Sequence, residues 1–138
     1  MVKSSEFKIF TDGAARGNPG PAGAGWIVFN SAHAVISEGK KYLGEATNNQ
    51  AEYQALLLAL EEAKKNGATT VSVFCDSELM VKQLRGEYKV KNEGLKTLFQ
   101  KAVVALGAFG SYTMTHVVRE KNKGADRLAN EAIDDYFG

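Results

Sequence analysis

Three strand-like runs, EFKIFTD, GAGWIVFN and AVISEGKKYL, follow one another near the N-terminus with only short connections between them. Connections that short suit hairpins and leave no room for a crossover helix, so an antiparallel meander is expected. SAHA reads as the second turn, and Gly39 as a bulge or irregularity in the third strand. The pattern then changes. TNNQAEYQALLLALEEAKKNG opens on Thr47-x-x-Gln50, the capping-box spacing, in which two side chains satisfy free N–H groups at a helix start. Tyr53, Leu56, Leu57 and Leu60 follow at helical spacing, Lys64 and Lys65 fill the last turn, and Gly67 can close it. TTVSVFCD is strand-like again. Ser77 can cap a helix over SELMVKQL, EGLKTLFQKAVVALG predicts another helix, and SYTMTHVV a fifth strand. After the polar loop REKNKG, ADRLANEAIDDYF predicts a last helix with Leu128, Ala129, Ala132, Ile133 and Tyr136 on one side.

The order β-β-β-α-β-α-α-β-α implies an α/β protein with a mixed sheet and helices against its faces. Right-handed crossovers can place the fourth strand parallel to and beside the first. Both then end on one sheet edge, where open α/β sheets put their sites. The 138 residues suit a single domain over 1–138, and 44% hydrophobic with 24% charged content argues against disorder. No apolar run approaches the roughly 20 residues needed to cross a bilayer, so no membrane association is expected. MVKSSEFKIF has no apolar signal-peptide core and no small-residue cleavage site. Cys75 is the single cysteine, so neither an internal disulfide nor a cysteine-based zinc site can form. A cytoplasmic setting is the expectation. Formal net charge of +1 neither demands nor excludes nucleic acid, because local clusters matter more than the sum.

Asp12 and Asp76 each close an apolar strand. If those strands are parallel neighbours, the two carboxylates sit side by side. Glu52 lies four residues before Leu56, on or beside the buried face of the first helix, and Asp126 opens the last helix. Each acid has a plainer reading: Asp12 as a turn former, Asp76 with Ser77 and Asp126 as helix-start residues, Glu52 as a solvated first-turn acid. As a set they can converge. Like charges brought together repel and raise pKa values, and a divalent cation relieves the repulsion. Oxygen-only ligands select hard ions such as Mg2+ or Mn2+. Two such ions suit in-line phosphoryl transfer.

FTDGAARGNPGPAGAGWIV, TNNQAEYQALLLAL, VFCDSELMVKQL and REKNKGADRLANEAI together resemble type 1 ribonuclease H over nearly the whole chain. The resemblance implies a five-stranded sheet of order 3-2-1-4-5 with strand 2 antiparallel. It implies endonucleolytic hydrolysis of the RNA strand of RNA/DNA hybrids with Mg2+ or Mn2+, leaving a 3′-hydroxyl and a 5′-phosphate. The family's catalytic, metal-holding acids match Asp12, Glu52, Asp76 and Asp126. The glycines after Asp12 would let backbone approach the RNA strand. Groups near Gly13, Ala14 and Asn18 would sense the 2′-hydroxyl. Asn48 and Asn49 match the pair that reads base edges, Gln50 could assist them, and Thr47 matches a residue holding a DNA phosphate. A monomer is implied, and double-stranded RNA is an additional candidate substrate.

The departures are specific. The long basic protrusion of many members is replaced by the short RGEYKVKNEG, in which Tyr88 interleaves with Arg85, Lys89 and Lys91. Glu45 stands near the place of an arginine in the family's phosphate pocket. REKNKG lacks the loop histidine of many members, leaving Arg119, Glu120 or Lys123 as partial substitutes. His116 and His33 read as structural or exposed. The pattern resembles the compact bacterial and archaeal subgroup. A non-catalytic hybrid or double-stranded RNA binder is the competing class, and retention of all four acids counts against it. Neither G-x-G-x-x-G nor the P-loop pattern occurs, which disfavours a nucleotide-dependent enzyme.

Overall fold

The structure, a computed structural model, describes residues 5–138. The opening MVKS, on which part of the no-leader expectation rests, lies outside the described residues. The elements are β1 (Glu6–Ala15), β2 (Gly20–Phe29), β3 (Val35–Ala46), α1 (Asn48–Lys65), β4 (Thr70–Cys75), α2 (Glu78–Leu84), α3 (Glu93–Gly107), β5 (Ser111–His116) and α4 (Lys123–Phe137), with a 3-10 turn at Arg119–Lys121. The sheet order is β3-β2-β1-β4-β5, as the resemblance implies. β2 is antiparallel to both its neighbours, and β4 runs parallel to β1 and to β5.

α1 begins where the capping box places it: Gln50 N–H donates to Thr47 Oγ1 and Thr47 N–H to Gln50 Oε1. Its buried Tyr53, Leu56 and Leu60 share a core with Ile9, Val71 and Val73 of the central strands. α4 packs on the other side, against β1, β2 and β3. That seat depends on missing side chains in β2. A Cβ on Gly25 would lie 2.3 Å from the Ala125 carbonyl oxygen, so helix backbone rests directly on strand backbone there.

Four expectations are corrected. β1 does not stop at Asp12 but runs to Ala15, and β2 begins at Gly20, because Gly13–Ala15 pair with Ala22–Ala24. Small residues satisfy a ladder as well as large ones, and they hide the alternation that marks a strand. Gly39 is no bulge; the register shifts fall at Ala22/Gly23 and Val28/Phe29, and Gly39 instead leaves room for the Trp26 ring, which a Cβ would approach to 2.3 Å. REKNKG is not all loop, since Arg119–Lys121 form the 3-10 turn and Lys123 already starts α4. Tyr136 is 64% exposed, unlike buried Leu128, Ala129, Ala132 and Ile133, and its ring stacks on Tyr42 with centroids 3.9 Å apart.

Candidate active site

Thr11 lies opposite Cys75 in the parallel β1–β4 ladder, so the next residue on each strand, Asp12 and Asp76, is carried to the same point of the sheet edge. Glu52, in the second turn of α1, reaches this edge and accepts a hydrogen bond from the Gly13 N–H at 3.0 Å. Carboxylate oxygens of Asp12, Glu52 and Asp76 all lie within 4.8 Å of one another. Asp12 and Glu52 are buried, at 4% and 8% exposure. Asp126, in the first turn of α4, comes within hydrogen-bond reach of Asp12 from the other side. Its carboxylate is 27% exposed and faces the Arg119 guanidinium at 3.5 Å. All four acids therefore meet: buried Asp12 and Glu52 with half-buried Asp76 as a tight cluster, and Asp126 at its rim.

Burial, then the charges of Glu52, Asp76 and Asp126, push the Asp12 carboxyl up to about 10. Burial and then Asp76 push Glu52 well above its ordinary range, against the lowering effect of the Gly13 N–H. Both shifts have the same cause, buried carboxyls crowded by like charge, and a cation placed among them would relieve it. The donor set is all oxygen and its three members are mutually close, so it fits a hard divalent cation. Behind it, Cys75 is fully buried, and burial raises its thiol, so it is an unreactive core group.

The acids open into a pocket of about 480 Å³ that Gly13, Ala14, Arg16, Asn48, Arg119 and Asn130 also line. Asn48 Oδ1 accepts from the Ala15 N–H at 3.2 Å, and the Asn48 N–H donates to Asn18 Oδ1 at 3.0 Å. Together they tie the start of α1 to the β1–β2 connection. Asn49 is exposed beside them, and Thr47 and Gln50 are joined in the capping box. Gly13 also has a packing use. A Cβ there would lie 2.2 Å from the Ala51 carbonyl, so its bareness admits α1. Tyr88 is half exposed after α2, with Lys82 Nζ 5.0 Å from its ring centre, and does not line the pocket. Glu120 and Lys123 are exposed outside it, and neither His33 nor His116 lines it.

Three residues at the site were not read from the sequence. Asn130 donates through Nδ2 to Asp126 Oδ1 at 3.3 Å, Arg16 reaches Asn130 and Asp134, and Asn122 lies buried at the start of α4. Asn130 was findable, since it sits four residues after Asp126 on the same helix face. Arg16 and Asn122 carried no local signal beyond polarity in a loop.

A 3-2-1-4-5 mixed sheet with acids just past the last residues paired between its first and fourth strands defines a protein of the ribonuclease H-like fold with a cluster of acids. The family described as "Reverse transcriptase-like" matches residues 10–132. "Ribonuclease HI" of Halobacterium salinarum is 44% identical over 126 residues, 91% of this chain and 63% of that protein. A "Bifunctional protein" of Mycobacterium tuberculosis is 45% identical over 127 residues, again 91% of this chain but 35% of its own length. The chain thus spans less than two thirds of either relative. The crystal structure of LC11-RNase H1 in complex with an RNA/DNA hybrid superimposes with a TM-score of 0.91 at 43% identity, covering 96% of this chain and 99% of that one. The chain belongs to the type 1 ribonuclease H family. Membership implies dependence on divalent metal, and an acidic cluster that could hold such an ion is present.

Proposed function

We propose that this chain is an endonuclease that hydrolyses the RNA strand of RNA/DNA hybrids, leaving 3′-hydroxyl and 5′-phosphate ends. The observation that carries this reading is the Asp12–Glu52–Asp76 cluster within 4.8 Å, in a chain 43% identical to a ribonuclease H1 crystallised on a hybrid. Asp12, Glu52, Asp76 and Asp126 would hold Mg2+, with Mn2+ as a substitute. Two such ions, when bound, supply an activated water and stabilise the leaving oxygen. The protein's own groups do the rest. The Gly13 N–H fixes the Glu52 carboxylate, so that acid is oriented before any ion arrives. Asn48 has spent its Oδ1 on Ala15, which leaves its Nδ2 to donate to a base edge, with Asn49 beside it. Thr47 Oγ1 accepts the Gln50 N–H, and its own proton remains to donate to a DNA phosphate. Gln50 Oε1 is committed to the cap, so only its Nε2 can assist. Ala14 and Asn18 border the path of the RNA strand, and Tyr88 with its basic neighbours grips the duplex farther out. Arg119, with Glu120 and Lys123 on the same segment, takes over from the loop histidine of other members. A monomer in the cytoplasm belongs to the same proposal.

The test is a labelled hybrid incubated beside the same sequence as double-stranded RNA, single-stranded RNA and double-stranded DNA, each with Mg2+, Mn2+ or EDTA. Metal-dependent cutting of the hybrid's RNA strand is the expected result. Binding without cutting under either metal would replace the enzyme by a hybrid-binding module.

A further inference from the structure

Asn122 is 1% exposed, and its Oδ1 has no hydrogen-bond partner among the described residues. It stands at the N-cap of α4, where an asparagine ordinarily turns its side-chain oxygen onto the helix's free N–H groups. This one makes no such bond. Its Nδ2 instead crosses to β1 and donates to the Thr11 carbonyl at 2.8 Å, a contact between residues 111 apart in sequence. That carbonyl belongs to the peptide group linking Thr11 to Asp12. At the same time the main-chain carbonyl of Asn122 accepts the Asp126 N–H at 3.1 Å. One buried residue therefore grips the backbone beside two of the four acids, one with its side chain and the other with its main chain.

The other acids need no such device. Strand register fixes Asp12 against Asp76, and the Gly13 N–H fixes Glu52. Asp126 arrives after the stretch from Val117 to Asn122, on a helix whose backbone rests on Gly23 and Gly25 of β2. We propose that Asn122 is a positioning residue which sets the separation of Asp126 from Asp12, and through it the geometry of the cation site. The inference rests on reading the four acids as the metal-holding set. The residue type follows from the surroundings. A buried carbonyl requires a donor, and a donor beside clustered carboxylates must not itself be an acid. Asn122→Asp replaces the donor with a carboxylate facing the Thr11 carbonyl and is the more damaging change. Asn122→Ala leaves that carbonyl bare.

The experiment uses the full chain with Asn122→Ala, Asn122→Asp and, as a packing control on the same helix, Ile133→Ala. Amide hydrogen exchange without metal, Mn2+ affinity by calorimetry, and kcat and KM on a hybrid are read for each. For Asn122→Ala we expect the Asp126 amide to lose protection relative to amides of the last two turns of α4. Mn2+ binding weakens about 10-fold and kcat falls on the order of 10- to 100-fold, with KM little changed. Ile133→Ala lowers the melting temperature without this pattern. If the Asn122 variants behave as Ile133→Ala does at matched loss of stability, the inference is overturned. If Asn122→Ala does not fold, Asn122→Ser, which keeps a shorter donor, is read by the same criteria. A wild type that cuts no hybrid overturns the functional reading alone, and the exchange and Mn2+ arms still decide this one.

Discussion

Two halves of the carboxylate set are built on different principles. Asp12, Glu52 and Asp76 come from elements that the fold must assemble in any case: two adjacent parallel strands and the helix that covers them. Asp126 comes from a helix on the opposite side of the sheet and is held by polar side chains. Asn130 bonds its carboxylate, Arg16 bonds Asn130, and Asp134 bonds Arg16 at 2.7 Å. Register is cooperative with the whole core and cannot be changed locally. A chain of hydrogen bonds that runs out to the surface at Arg16 and Asp134 can be. The first half is therefore rigid and strained by charge, and the second adjustable and close to neutral in stability.

The sharpest way to break the rigid half is Asp12→Asn. It removes the acid that the other three surround, and cutting of a hybrid should fall on the order of 10³-fold or more. Stability should move the other way. Asp12 is held protonated by burial and by its three acidic neighbours, so a neutral amide relieves a penalty. In EDTA at neutral pH the melting temperature should stay level or rise by a few degrees. A marked drop would mean that the carboxyl makes contacts which the amide cannot.

Gly13→Ala attacks the same half through packing. The new Cβ meets the Ala51 carbonyl carbon and oxygen at 2.2 Å and the Glu52 nitrogen at 2.4 Å, all of them backbone. Nothing flexible can yield, so α1 must shift and carry Glu52 with it. Urea unfolding should show a loss of about 1–3 kcal/mol, and cutting should fall at least about 10-fold. By comparison, Asp126→Asn keeps the shape of a rim residue, and it should cost less activity than Asp12→Asn in the same assay while leaving the melting temperature near wild type.

The rigid half should also respond to pH. Asp12 at about 10 and Glu52 well above 4.5 bind more protons in the folded than in the unfolded chain, whose values are near 3.8 and 4.5. Unfolding free energy then falls as pH rises wherever the folded state holds the extra protons. As far as these two groups are concerned, metal-free protein should be most stable below about pH 4, where both are protonated folded and unfolded, and should lose stability as pH rises toward 10. Mg2+ should cancel that slope, adding about 2.7 kcal/mol when free ion stands at 100 times its dissociation constant. Thermal melts across pH, with and without the ion, read both effects. In Asp12→Asn the slope should be shallower.

The rigid half was also the legible one. Asp12 and Asp76 after apolar strand runs, and Glu52 one helical turn before Leu56, follow from periodicity even though β1 continues past Asp12, and the right-handed crossover supplies their meeting. The capping box at Thr47 and Gln50 fixed the start of α1 from four residues. What escaped was carried by residues without a pattern. Gly13 and Ala14 extend β1 past the last large side chain, and Gly25 seats α4, yet small residues look alike in strands, turns and loops. Asn122 and Arg16 act across 111 and 118 positions of sequence, and no local spacing encodes such a contact.

Arg16→Ala should give the smallest effect, and it separates two roles for the adjustable half. Arg16 is exposed and its bridge to Asp134 joins two solvent-facing groups, 44% and 63% exposed, so its loss should change stability by less than about 1 kcal/mol. Its position is less ordinary than its energy. The guanidinium lines the acid pocket and contacts Asn130, which in turn holds Asp126. If Arg16 serves by steadying Asn130, the alanine variant should lose kcat a few-fold at unchanged KM, and Asn130→Ala should reproduce the loss without adding to it. If it serves as a cation for the substrate's phosphates, KM should rise instead, most at low salt, and the two substitutions should add. The hydrogen-bond chain from Asp134 favours the first outcome, because a guanidinium already engaged by a carboxylate and an amide has little left to offer a phosphate.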